Sequence, residues 1–236
     1  MLKIQSITEE NFAPQVQTYL NLNYGPKPSQ VLHLQGLSRE KQNVHRPFVI
    51  ITRSPSDLPW PLASFEALCQ AGYQLVFLEL NGGPLQANFE IKTATRWLLL
   101  HAYQYGLDPF RYLLCGLDQV ANLAVLTAIS SANQQAYSQE DVRVSPLFFR
   151  GAIFIGGFSD SEGQKMLKHF ELRKVPDLFF FQEENHHPQI SAQLLAKKAP
   201  SVTVYSLINS KQSSLQLSPY LMTKVKAFCQ EAFKKK

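Results

Sequence analysis

The stretch "YLLCGLDQVANLAV", Tyr112 to Val125, is a short apolar run, a turn, and then a helix-like pattern. A buried strand that turns sharply into a helix is a building block of parallel sheets. At the apex of the turn stands Asp118. It is either a carboxylate with chemistry to do or a cap on the helix that follows, and the rest of the chain bears on which.

Outward from this stretch the chain alternates. Short, nearly continuous apolar runs lie at Phe48–Thr52, Leu75–Leu80, Tyr112–Cys115, Gly151–Ile155, Asp177–Phe181 and Val202–Ser206. Strands of a parallel sheet, buried on both faces, have this look. Helical patterns lie among them: Leu62–Ala71 before a Gly72 stop, Ile91–Gln104 before Gly106, Gln119–Ser130, Glu162–Phe170, Gln189–Lys198 and Pro219–Phe233. Residues 20–34 read as an antiparallel hairpin at the sheet edge, turning at "YGPKPS", with Val31–Leu34 as its second strand. The expectation is an α/β fold, one domain over 1–236, with helices on both faces of a mostly parallel sheet.

Bulk composition narrows the function classes. Apolar residues make up 45% of the chain and charged ones 17%, as in an ordinary globular protein. The net charge of +5 is modest, and the basic residues are interleaved with acids apart from the terminal "FKKK". No nucleic-acid partner is expected from that pattern. The opening "MLKIQSITEENFAPQVQ" carries acids and amides where a signal peptide needs an apolar core, and no run approaches the roughly 18 apolar residues of a membrane span. Cys69, Cys115 and Cys229 are odd in number and far apart, which fits reduced, buried thiols. The expectation is a cytoplasmic protein with no membrane partner, no cofactor and no metal site.

Several segments together resemble one family, the esterase-type α/β-hydrolases. "LNLNYGPKPSQVLHLQGL" is similar to their edge hairpin, and "HRPFVIIT" to the strand leading to their His-Gly-Gly oxyanion loop. "ATRWLLLHAYQYGLDPFRYLLCGLDQVANLAV" resembles their Trp-bearing helix, Tyr-Gly-Leu-Asp-Pro turn, strand, nucleophile elbow and following helix. "KVPDLFFFQEENHHP" resembles the strand and loop that carry the acid. The likeness runs in order along nearly the whole chain and is nearest to small carboxylesterases and lipases without a large cap domain. It implies the α/β-hydrolase fold, with about eight strands and an N-terminal antiparallel hairpin.

The chemistry that the resemblance implies is altered at each step. The elbow of such enzymes reads G-x-S-x-G, a strained turn that exposes the serine. Here it reads Gly116-Leu117-Asp118-Gln119-Val120. A carboxylate can serve as nucleophile on this fold, as in proteins resembling dehalogenases and epoxide hydrolases. Either route needs a histidine base after the last strand, and no histidine follows His187. In place of Gly-x-x-Asp the acid strand runs into Gln182-Glu183-Glu184-Asn185, and in place of His-Gly-Gly stands Thr52-Arg53-Ser54-Pro55. Pro55 has no N–H to offer an oxyanion. Loss of nucleophile or base costs on the order of 10⁶ in kcat, and one oxyanion donor roughly 10²–10³.

Each candidate residue thus has a plain and a functional reading. Asp118 is an N-cap of Gln119–Ser130, held ionised by the helix dipole, or a nucleophile or catalytic carboxylate. His186 and His187, with Glu183 and Glu184, are a solvated loop, a weak metal-like cluster, or the base and acid of a rebuilt site. Arg53, Ser54 and Gln119 line the former oxyanion region, where Arg53 either pairs with Asp118 and fills the pocket or holds an anionic ligand. His33, His45, His101 and His169 read as ordinary polar or core histidines, and "LNGGPL" at 80–85 as a turn. Three functions follow: a non-catalytic relative that binds a small molecule or a protein partner and forms a homo-oligomer; an active hydrolase built on Asp118 and His186 or His187; and a purely structural protein.

Overall fold

The computed structural model describes residues 16–37, 45–55, 60, 62–81, 83–132, 146–156, 176–183, 202–207 and 217–234. The strands are β1 (Val16–Asn23), β2 (Val31–Leu37), β3 (Arg46–Arg53), β4 (Gln74–Glu79), β5 (Leu107–Leu117), β6 (Gly151–Ile155), β7 (Asp177–Glu183) and β8 (Val202–Leu207). They form one sheet in the order β1-β2-β4-β3-β5-β6-β7-β8. β2 runs antiparallel to both β1 and β4, and every other pairing is parallel. Each expected apolar run coincides with a strand, and in β3, β4 and β6 nearly every side chain is buried, as two covered faces require.

The described helices are α1 (Leu62–Gln70), α2 (Pro84–Leu100), α3 (Ala102–Tyr105), α4 (Ala121–Ala132) and α5 (Pro219–Lys234). Helices α2, α3 and α4 cover one face, packing Ala87, Ile91, Leu98, Ala124 and Ile129 on Leu34, Phe48, Ile50 and Leu114. Helices α1 and α5 cover the other, packing Phe65, Leu68, Leu221 and Val225 on Ile51, Phe77, Leu113, Ile153 and Phe179. Gly72 stops α1 at φ 90, with Tyr73 N–H donating to Leu68 O and Gly72 N–H to Cys69 O. That is the Schellman termination, and it explains the glycine.

Three expectations are corrected. "LNGGPL" is not only a turn: Pro84 opens α2 two turns before the expected Ile91, since proline suits a first helical position where its missing N–H is no loss. The same helix breaks at His101, so Ile91–Gln104 is two pieces. Strand β5 starts five residues before Tyr112, through Leu107–Arg111, which the Asp108-Pro109 pair marks in sequence as a turn. The patterns at 162–170 and 189–198 lie outside the described residues. The three cysteines are buried and unpaired, with burial pushing the Cys69 thiol up to about 11 and Cys229 to about 12. No helix among the described residues is long and apolar enough to cross a membrane.

Candidate functional site

From β3 the chain crosses to β4 on one side, and β5 then lies on β3's other side. Open α/β sheets bind ligands at such a reversal, outside the carboxyl ends of the strands. Here the reversal places Arg53, at the end of β3, next to Asp118, which follows β5. Thr52 Oγ1 donates to Cys115 O at 3.2 Å and ties the two strand ends together.

Asp118 has φ 52, a left-handed backbone, and opens a 3₁₀ turn over Asp118–Val120 that leads into α4. Such a conformation costs a non-glycine residue about 1–3 kcal/mol, and aspartate is among the residues that tolerate it. Packing imposes it. A Cβ on Gly116 would lie 2.6 Å from Ala121 Cα and 2.8 Å from Ala124 Cβ, so β5 and α4 touch backbone to backbone. Gly156, at the end of β6 with φ 151, lies against the Asp118 backbone, where a Cβ would stand 2.8 Å from Asp118 Cα. Val120, where the elbow motif has its second glycine, is simply buried in the α2–α4 core.

The N-cap reading of Asp118 does not hold. A cap residue has an extended backbone, and here that residue is Leu117, with no side-chain hydrogen bond capping the turn. The left-handed backbone leaves the Asp118 residue exposed instead. The ion-pair reading of Arg53 is also corrected. Its guanidinium is buried and holds Glu79, with Nε and Nη2 at 3.0 and 2.5 Å from Glu79 Oε1, and it stacks 4.0 Å above the Trp60 ring. The parallel register sets Arg53 directly beside Glu79, which is why Glu79 and not Asp118 is the partner.

No family model and no curated protein sequence matches this chain. Solved structures do. Esterase B from Lactobacillus rhamnosis, inhibited by a tributyrin phosphonate, superposes with a TM-score of 0.72 at 18% identity, covering 96% of this chain and 89% of its own. A truncated carbohydrate esterase from gut microbiota gives 0.70 at 14% identity, over 97% of this chain and 99% of its own. Esterase 2 from Thermogutta terrifontis gives 0.66 at 14% identity, over 92% and 94%. The fold is the α/β-hydrolase fold.

Asp118 stands at the apex of the turn that leads from β5 into α4. Ser54 is half-buried and Pro55 exposed just after β3. Gln119 contributes its backbone to the elbow turn. His186, His187 and Glu184 lie outside the described residues, and Glu183 is the last residue of β7. The described histidines are engaged elsewhere: His101 stacks on Trp97, and His45 meets Tyr103 edge-on. His33 Nδ1 accepts the Asn21 N–H at 3.1 Å, and burial lowers its pKa, with Glu79 raising and Arg53 lowering it. His33 is therefore closer to the Arg53–Glu79 pair than its sequence reading allowed. Glu79, Trp60 and Gly156 were missed as well; only strand register could have revealed them. Among the described residues no group of three His, Cys, Asp or Glu is placed to hold a metal.

Although the Asp118 residue is exposed overall, the partial burial of its carboxyl raises it above its ordinary 3.8, and the Arg53 charge opposes that rise. The dipole argument from sequence favours the ionised form, and burial acts against it. A raised carboxyl binds its proton more tightly folded than unfolded, so stability falls as pH rises from 3.8 through the folded value. Asp118→Asn, which keeps the shape and the left-handed tolerance, should be slightly more stable than the natural protein at neutral pH. Urea midpoints should show that gain disappearing below 3.8, where the carboxyl is protonated in both states.

Proposed function

We propose that this chain is a non-catalytic member of the esterase-like architecture that binds a small molecule at its elbow crevice. The observation that carries the reading is Asp118 itself, an exposed carboxylate on a retained elbow backbone, with no histidine in the sequence after His187. Serine chemistry has neither its nucleophile nor a base in the usual place. Arg53 lies on Glu79 and Trp60, leaving Asp118 exposed beside it, which favours ligand binding over a pocket packed shut. A carboxylate at the apex selects ligands that donate hydrogen bonds or carry positive charge, such as amines and alcohols.

The retained strain at Asp118 favours one second reading, an active hydrolase with Asp118 as nucleophile and His186 or His187 as base. A thermal-shift panel of short esters, alcohols and amines separates the two. A ligand at 100 times its Kd stabilises by about 2.7 kcal/mol, roughly 5–10 °C for a chain of this size. The expected result is such a shift in the natural protein, lost in Asp118→Ala, with the ligand recovered unchanged. Ligand consumed in an Asp118-dependent turnover would replace the first reading by the second.

A further inference from the structure

The antiparallel strands β1 and β2 fall out of step at one place. Tyr19 pairs with Leu34 and Leu22 with Leu32, so Leu20 and Asn21 stand opposite His33 alone. That is a β-bulge, in which the extra residue loses its partner in the ladder. Asn21 absorbs the irregularity with a left-handed backbone at φ 54, a conformation asparagine tolerates. Its N–H donates to His33 Nδ1 at 3.1 Å. A backbone N–H can only donate, so Nδ1 is the unprotonated nitrogen and the neutral ring carries its proton on Nε2. The bond thus belongs to one charge state of one side chain.

We propose that His33 is a pH-sensitive latch on the edge strand: the neutral ring closes the β1 bulge through the Asn21 N–H, and protonation of Nδ1 opens it. A protonated imidazole has two donors and no acceptor, so the Asn21 N–H would then face another N–H. Beyond the bulge, residues 16–19 are held to β2 by four register pairs and by the Tyr19–Tyr105 ring contact. That arm of β1 is what loosens, while β2 keeps β4 on its other side. The charged groups acting on the ring are Glu79 from β4 and Arg53 from β3, with opposite signs. Strand β1 carries no charge, and the connecting turn brings the exposed Lys27. Helix α1, packed on β2, brings Glu66 and Cys69, and Glu66 acts on Cys69. Burial is the largest influence on His33 and favours the neutral ring. The latch is therefore closed above the ordinary 6.5 and opens as pH falls through the lower folded value. This inference is independent of what the elbow binds.

Amide hydrogen exchange of the isotope-labelled full chain, followed by NMR between about pH 8 and about pH 5, tests it. The expected result is that Asn21 protection, corrected for the intrinsic exchange rate, falls as His33 titrates. The fall should be about threefold to tenfold, the worth of one hydrogen bond. Leu113 and Leu114, in the middle of the sheet, should keep their protection, which separates the latch from acid unfolding of the whole chain. At neutral pH the ring-nitrogen resonances of His33 should show a bare Nδ1 and a protonated Nε2. His33→Gln and His33→Phe should both remove the pH dependence. His33→Phe, which has no acceptor, should hold Asn21 at its low-pH protection throughout. Asn21 protection that stays constant through the His33 titration, or a proton on Nδ1 at neutral pH, would overturn the proposal. So would an unchanged pH profile in His33→Phe, or loss of protection at Asn21 only together with Leu113 and Leu114.

Discussion

Asp118→Ser will leave turnover of short-chain p-nitrophenyl esters where it stands in the natural protein, no faster than in Asp118→Ala. The substitution supplies the missing hydroxyl in the correct place. A serine at this position inherits the left-handed backbone at the head of α4, held there by Gly116 and Gly156. On the non-catalytic reading proposed above, what it does not supply is a base. Without one, a serine nucleophile loses on the order of 10⁶ in kcat. The same reading leaves the oxyanion donors short, since Pro55, just after β3, has no N–H to offer. Treatment with a phosphonate ester followed by mass measurement gives an independent reading, because an unactivated serine stays unlabelled. Rapid turnover or stoichiometric labelling of Asp118→Ser would mean that His186 or His187 reaches the elbow, and the non-catalytic reading would fall.

Gly116→Val will cost more than about 3 kcal/mol and lower the melting temperature by roughly 10 °C. Gly116 lies mid-sheet, paired with Thr52 of β3 and Phe154 of β6, so its strand cannot yield sideways. Its missing side chain faces backbone, with Ala121 Cα 2.6 Å from where a Cβ would stand. Helix α4 would have to move away, and ten of its residues are buried. Overpacking of this kind is at the upper end of the usual range because no flexible side chain can give way. Gly83→Ser is the matching control: a Cβ there meets nothing within 4 Å, and serine is a good cap for α2. Thermal and urea melts of both variants decide the point. A loss under about 1 kcal/mol for Gly116→Val would mean that α4 is not seated on β5 as described.

The two substitutions also mark what the sequence can and cannot disclose. Strands β3, β4, β6 and β7 are legible because burial on both faces demands unbroken apolar runs, and Gly72 and Gly106 fall where helices stop. The turn from β5 into α4 is legible too, from Gly116 and the strand-to-helix change. The backbone of Asp118 is not. An aspartate before a helix reads locally as a cap, and its left-handed turn is imposed by Ala121 and Gly156, one on the next helix and the other on the next strand. Arg53 fails for a similar reason. Sequence places Arg53 and Asp118 at one sheet edge, but the choice of Glu79 as partner depends on the register of β3 against β4. Non-local geometry decides both, and local pattern carries no trace of it.

The last described helix carries a consequence for how the protein is made. Helix α5 packs Leu221, Met222, Val225 and Cys229 over the sheet face that holds Leu113, Cys115, Ile153 and Phe179. Synthesis proceeds from the N-terminus, so every described strand of the sheet precedes α5, and until α5 is made only α1 covers part of this face. The nascent chain therefore carries a partly open apolar face until α5 emerges. Chaperone demand during translation should be concentrated in that interval, while the face under α2 and α4 is already closed.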